Sequence, residues 1–405
     1  MARRHNQSPE DTVVFFRRLL GLLLPLFLAA CVSPQSWEAV RVLKDIDAGE
    51  APTALKESTP TPSRREITYS VIQPETGQPG FPQTADLYHP NRTDPDDLDG
   101  ALVLVPGFTP SGKNDRRLVA LAKSFARSGF LVLVPDLRGS RETRVRLGDA
   151  RRIADAVVHL SGRSELENLT GDEGSSEIGL VAISYAVGLA VLATTETDAK
   201  ERTGFLVGLG GYYDTTEVVR FTTTGAFRLP GEHKWRNLKP LRAAKWYFLS
   251  SNIDALIDPD DRAALTAIAE IRQRSGREAL VDGEGRDLIA QLGPEGRSLY
   301  ALMINEDPAQ VEPLLAALPE ALRRQLDALS LRALDLSHLA GRLILIHGRE
   351  DPLVPFSESL ALSNTVPDTE LFLIDGFSHI NPRAVGVIGQ LQLADAIQAV
   401  LARRR

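Results

Sequence analysis

Residues 178–195 read IGLVAISYAVGLAVLATT. Six apolar residues stand in a row from Ile178 to Ile183. A run that short, with no polar alternation, fits a strand buried on both faces. YAVGLAVLATT, from Tyr185, is helix-like. Ser184 sits where one element gives way to the other, so the chain has to turn sharply at the serine. Such a turn holds the serine up in unusual dihedrals and needs small residues two positions before and two after. Ala182 and Ala186 fill those places, which gives a weakened form of the G-x-S-x-G spacing. Gly188 lets the following helix pack closely. A serine that merely caps a helix would leave the same local trace, so the other strand ends decide.

The same rhythm continues on either side. ALVLVP (101–106) and FLVLVP (130–135) read as buried strands. Between them DRRLVALAKSFARS (115–128) puts Leu118, Leu121, Ala122 and Phe125 on one helical stripe, stopped by Gly129. EITYSVI (66–72) and TADLYHP (84–90) precede them, and GFLVGLGG (204–211) follows the Ser184 unit. Strand signals then almost vanish, replaced by helical stretches such as DDRAALTAIAEIRQR (260–274) and EPLLAALPEALRRQLDALSL (312–331). They resume with RLILIHG (342–348) and ELFLIDG (370–376), and a last helix is expected near Ile388–Leu401. The alternation implies an α/β fold with a mostly parallel central sheet flanked by helices on both faces. The expected core is therefore residues 66–212 plus 340–405, with residues 213–339 as a helical cap insertion. In an open parallel sheet, chemistry gathers at the carboxyl ends of the strands.

Two further strand ends carry chemistry-bearing residues. After LILIHG comes REDPLVP, which places Asp351 in a loop where a carboxylate can orient an imidazole, although an Asp before Pro is also an ordinary turn. After LFLIDGF comes Ser378-His379, and histidine is the side chain suited to moving protons near neutrality. Serine, acid and histidine thus occur in that chain order, with the insertion between the first two. This is the α/β-hydrolase order; other serine-hydrolase folds use different ones.

Residues 66–405 therefore resemble an α/β-hydrolase of the serine esterase, lipase and peptidase type, with a dienelactone-hydrolase-like early strand in TADLYHP. VPGF (105–108) resembles the family's oxyanion strand-loop, and PDLRGS (135–140) the loop after the next strand. HGREDPLVP (347–355) resembles the acid loop and GFSH (376–379) the histidine loop. The resemblance implies Ser184 as nucleophile, His379 as base and Asp351 as the acid that orients it. It places the oxyanion hole at the backbone N–H groups of Tyr185 and Phe108. Asp214, after GLGGYY, is an alternative acid, because some lipases carry the acid after that strand. The implied activity is hydrolysis of a small-molecule or lipid-like carboxylic ester. Acyl transfer, peptide cleavage and a non-catalytic binding role are the competing readings. The cap carries no recognised motif. Its run Lys245-Trp246-Tyr247-Phe248-Leu249 suits the cap's own core, and less readily the wall of an acyl pocket.

The amino terminus reads as an address. Arg17 and Arg18 precede LLGLLLPLFLAA (19–30), a stretch shorter than the roughly 20 apolar residues a membrane span needs and of signal-peptide length. It ends in Leu28-Ala29-Ala30-Cys31, which resembles a bacterial lipobox, and Cys31 is the only cysteine of the chain. The expectation is a signal peptide over residues 1–30 and a lipid-bearing Cys31, with residues 31–65 as a tether to an envelope membrane. Glu10 and Asp11 depart from the usual basic leader.

The remaining features mostly exclude. Hydrophobic residues make up 43% of the 405 and charged residues 24%, which rules out a disordered chain or a multi-span membrane protein. The net charge is −7, and −9 once residues 1–30 are removed; an acidic body argues against nucleic acid as a partner. No HExxH, no cysteine pair and no Walker loop is present, so no metal or nucleotide cofactor is expected. Oligomeric state is not legible.

Overall fold

The structure is a computed structural model that describes residues 33–72, 78–92, 97–169, 177–241, 243–275, 283–379 and 385–404. Eight strands form one sheet: β1 (Ser63–Ile72), β2 (Pro79–His89), β3 (Gly100–Val105), β4 (Phe130–Pro135), β5 (Ile178–Ile183), β6 (Thr203–Leu209), β7 (Leu343–Gly348) and β8 (Glu370–Ile374). Their spatial order is β1-β2-β4-β3-β5-β6-β7-β8. Strand β2 runs antiparallel to both its neighbours. From β4 to β8 every pairing is parallel. The expected mostly parallel sheet is the one observed.

The uninterrupted apolar runs follow from two-sided burial. Along β3, Leu102 and Leu104 face one hydrophobic layer while Ala101, Val103 and Val105 face the other, as the two-residue period of a strand requires. One layer is closed by α3 (Gly148–Ser161) and α4 (Ala186–Ala193), through Ile153, Val157 and Leu189. The opposite layer is closed by α1 (Pro34–Ala48), α2 (Arg116–Arg127) and the terminal α12 (Val387–Leu401). In α2 the predicted stripe is the buried one: Leu118, Ala122 and Phe125 are buried, and Asp115 caps the helix by accepting from the N–H groups of Arg117 and Leu118.

Between β6 and β7 lie the main helices α5 (Thr215–Thr224), α6 (Ala243–Asn252), α7 (Pro259–Ser275), α8 (Gly283–Gln291), α9 (Pro294–Ile304) and α10 (Glu320–Leu329). A two-strand ribbon, Ala226–Phe227 with Arg236–Asn237, is the small strand content of this region. These helices have a core of their own, built on Trp246, Leu249, Leu265, Ile268, Leu299 and Leu302. The aromatic run in α6 is therefore divided. Trp246 and Leu249 turn into the cap, while Tyr247 remains half exposed. The side chain of Phe248 lies outside the described residues.

One expectation needs correcting. Residues 34–48 do not behave as a free tether. Helix α1 packs along α12 and α2 with Ala39 and Val42 completely buried. Ser33 caps its first turn. Asp45, on the inner face, accepts from Lys56 Nζ at 2.6 Å and from Ser124 Oγ at 2.7 Å. Burial works to raise the Asp45 pKa, but these hydrogen bonds and that from Thr53 outweigh it and keep the carboxyl below its ordinary value. At the other end, Glu38 pairs with Arg404 and Ser36 donates to Gln398. The apolar stripe of α1 found a partner in the last helix, far away in sequence. Residues 1–32, which include the lipobox-like stretch and Cys31, lie outside the described residues. Among the described residues, no helix is long and apolar enough to cross a membrane.

Candidate active site

At the carboxyl end of β5 the chain turns as its sequence requires. Ser184 has φ of 60°. A left-handed non-glycine residue costs about 1–3 kcal/mol and persists only when its surroundings enforce it. Here the Ser184 N–H donates to Leu209 O at 2.7 Å, tying the turn to the end of β6. Ala182 and Ala186 are both fully buried, so methyl groups fit where the usual pattern has glycine. Gly188 has a different task. A Cβ there would sit 2.3 Å from the ring and hydroxyl of Tyr212, so its absence lets that ring lie against α4.

Three distant residues meet at this end of the sheet. His379 Nε2 is 2.9 Å from Ser184 Oγ. His379 Nδ1 is 2.7 Å from Asp351 Oδ2. His379 also has positive φ, at 53°, so both partners of the central contact are held in the left-handed region. Asp351 is fully buried, and its Oδ1 accepts from the N–H groups of Leu353 (2.8 Å) and Val354 (3.1 Å). Burial pushes the Asp351 pKa up. The hydrogen bonds from His347 and His379 and the attraction of those two rings overcome it, leaving the carboxyl well below its ordinary value. It is an anion facing the imidazole. Such a line can pass a proton from a hydroxyl to a ring nitrogen and hold the resulting cation.

A second histidine, His347 on β7, lies beside the acid. It is completely buried, with Nδ1 2.7 Å from Ser359 Oγ and Nε2 3.0 Å from Val354 O. The same Nε2 is 3.5 Å from Asp351 Oδ2. The ring, itself on β7, holds the 351–354 loop through Val354 O and approaches the same carboxylate oxygen that His379 contacts.

Asp214 is not brought to the histidine. It caps α5, accepting from Thr216 N–H at 2.9 Å, and lies 3.5 Å from Arg332. The sequence D-T-T-E at 214–217 already carries that signal, an N-cap with an acidic residue three positions on. A neighbouring group had no sequence signal. Glu358 opens the first turn of α11 (Ser357–Thr365), where a glutamate normally meets water. It is instead buried and accepts from the N–H groups of Tyr213 (3.0 Å) and Asp214 (2.8 Å), the entry to the cap. Burial above all, with Asp214 and Glu217 nearby, pushes its pKa up to about 8 against the lowering effect of the two backbone bonds.

The loop after β3 flanks the serine. Phe108 stacks on Tyr185 with ring centroids 3.8 Å apart and planes at 15°. This loop is braced by the segment after β4: Ser140 Oγ donates to Gly107 O at 2.6 Å, and Thr109 N–H to Ser140 O at 3.1 Å. Two apolar cavities open at Ser184. The first, of about 480 Å³, lies beneath the cap and is lined by Tyr185, Tyr212, Val218, Thr222, Tyr247 and Leu326 among others. The second, of about 320 Å³, shares Phe108 and Ser184 with the first and reaches His379. Among the described residues no cluster of three or more His, Cys, Asp or Glu side chains could hold a metal ion.

The fold is that of the α/β-hydrolases. A Legionella pneumophila protein described as a candidate hydrolase is similar over 89% of this chain and 94% of its own, with a TM-score of 0.55 at 13% identity. An esterase from Pyrobaculum calidifontis aligns over 92% of each chain at 13% identity, with a TM-score of 0.45. The acylaminoacyl peptidase of Pyrococcus horikoshii aligns over 86% of this chain, at 13% identity and a TM-score of 0.45, and this chain spans 42% of the peptidase's length. No protein-family profile and no curated protein sequence matches the chain. At such identities the likeness carries the fold alone, and the chemistry has to be argued from the site.

Proposed function

We propose that this protein is a serine hydrolase that cleaves carboxylic esters through an acyl-enzyme. The observation that carries the reading is the continuous contact from Ser184 Oγ through His379 to Asp351, opening onto apolar cavities. His379 takes the Ser184 proton as Oγ bonds to the ester carbonyl carbon. The carbonyl oxygen becomes an oxyanion, received by the N–H groups of Tyr185 and Phe108. The C–O bond to the alcohol then breaks, and the alcohol leaves with the proton held by His379. Water, deprotonated by the same ring, releases the acid and restores Ser184. Each oxyanion-hole donor would contribute about 2.7–4 kcal/mol to the transition state. The apolar lining favours an ester of lipid-like character over a peptide. With Cys31 as the acylated residue, the enzyme works on the surface of a bacterial envelope membrane.

A fluorophosphonate probe tests this reading. The wild type should be labelled at Ser184 and should turn over short-chain esters, while Ser184→Ala should do neither. Labelling that survives in Ser184→Ala, or a wild type that is not labelled, overturns it.

A further inference from the structure

We infer that α1, which precedes the strand–helix alternation in sequence, is part of the substrate site: it walls a pocket for the leaving alcohol, so the natural substrate carries an apolar group on each side of its ester bond. The inference rests on the Ser184 reading above and deepens it.

The two cavities share Phe108, Ser184 and Leu353, and little else. Phe108, which lines both, stacks on Tyr185, which lines the first only. They differ in which part of the catalytic line they see. Of the two residues whose N–H groups would receive the oxyanion, Phe108 lines both cavities and Tyr185 the first only. His379 lines the second only. The group that gives its proton to the departing alcohol must face that alcohol. The alcohol portion therefore belongs in the second cavity and the acyl portion in the first, beneath the cap. At about 320 Å³ the second cavity is at the small end of the range of small-molecule pockets, roughly 300–1,000 Å³. That is more space than a methyl or ethyl alcohol requires.

Part of the lining of this cavity comes from two helices. Leu43 and Ile46, three positions apart on α1 and so on one face, line it together with Leu393 and Ile397 of the adjacent α12. Both α1 residues are half-buried. The wall is firmly held: Asp45, between Leu43 and Ile46, is locked to Lys56 and Ser124 on the inner side, and Glu38 to Arg404 nearer the start of the helix. A fixed apolar wall discriminates by length, and a missing or surplus methylene is worth about tenfold or more in kcat/KM.

The test uses two ester series on the otherwise intact chain: hexanoates of methanol, butanol and octanol, and methyl esters of acetate, hexanoate and decanoate. Ile46→Trp fills the second cavity and should lower the octyl-to-methyl ratio of kcat/KM by about tenfold or more, with the decanoate-to-acetate ratio unmoved. Ile46→Ala should shift the alcohol ratio the other way, which guards against a misfolded Trp variant. Val218→Trp, beneath the cap, should move the acyl ratio and spare the alcohol ratio. If Ile46 variants move the acyl ratio, move both equally, or move neither while the wild type hydrolyses esters, the inference is overturned and the Ser184 reading stands. A wild type that turns over no ester and takes no fluorophosphonate overturns both.

Discussion

Asp351→Asn changes a single atom, and the structure says which way the new amide points. The carboxylate now accepts two backbone N–H groups on Oδ1, from Leu353 and Val354, and faces His379 Nδ1 with Oδ2 at 2.7 Å. An amide offers one oxygen and one NH2. Turning the NH2 toward the two backbone donors would leave both unsatisfied in a fully buried place, whereas turning it toward His379 sets only one contact wrong. The oxygen therefore stays with the backbone, and the NH2 donates to Nδ1. That nitrogen becomes an acceptor, and the ring proton moves to Nε2, 2.9 Å from Ser184 Oγ. A protonated Nε2 cannot take the serine proton. A wrong tautomer in this arrangement lowers kcat by about 10⁴, roughly 5.4 kcal/mol of barrier at 1.36 kcal/mol per factor of ten. The assay is steady-state hydrolysis of an activated ester at neutral pH, with fluorescence or calorimetric unfolding to show that the fold is intact. Asp214→Asn is the internal control: asparagine caps a helix as well as aspartate does, so its kcat should match the wild type. If Asp351→Asn keeps kcat within tenfold of the wild type, or if Asp214→Asn alone collapses it, the assignment of the acid is wrong.

Three more outcomes are expected. Gly188→Ala places a methyl 2.3 Å from Tyr212; overpacking of this kind costs about 1–3 kcal/mol, read as a lower denaturant midpoint. A midpoint equal to the wild type would mean that the ring moves aside freely. Glu358 has a folded-state pKa near 8, above its ordinary 4.5. The proton it keeps thus stabilises the fold fully below the ordinary value, and that contribution is lost as pH rises through about 8. Glu358→Gln should lack it, so the Tm difference between variant and wild type should grow in the variant's favour from pH 5 to pH 9; a constant difference would refute the burial argument. Cys31→Ser should leave the protein without acyl chains and release it from the membrane fraction, and a wild type that carries no lipid would remove the anchor from the account.

The parts of the site that sequence reading reached share one property: each stands where an apolar run stops. Ser184, Asp351 and His379 follow β5, β7 and β8: β5 and β7 are buried on both faces and the edge strand β8 only in part, yet each carries an apolar run that stops just before the site residue. What was hidden depended on partners far along the chain. Nothing local in residues 34–48 says that α12 covers them. Asp45 in K-D-I-D looks like a surface charge, and only the meeting with Lys56 and Ser124 makes it an internal anchor. Glu358 occupies a first helical turn, the usual place for an exposed glutamate. Burial there is imposed by the cap entry, which needs an acceptor for two N–H groups. Asp214 was the reverse case, since its local signal was a helix cap and the cap is what it makes.

The docking of α1 bears on how such an enzyme would meet a lipid surface. Thirty-four peptide steps of free chain from Cys31 to Arg65 would give a leash of about 110 Å, and the catalytic body could swing in any attitude. If Cys31 carries the lipid as proposed, then with α1 docked from Pro34 onward and capped by Ser33, only two peptide steps would separate that anchor from the body, at most about 7 Å. The molecule would then sit moored at its own flank, facing the bilayer with the same few helices at every encounter, and the alcohol-side pocket would keep one bearing toward the lipids.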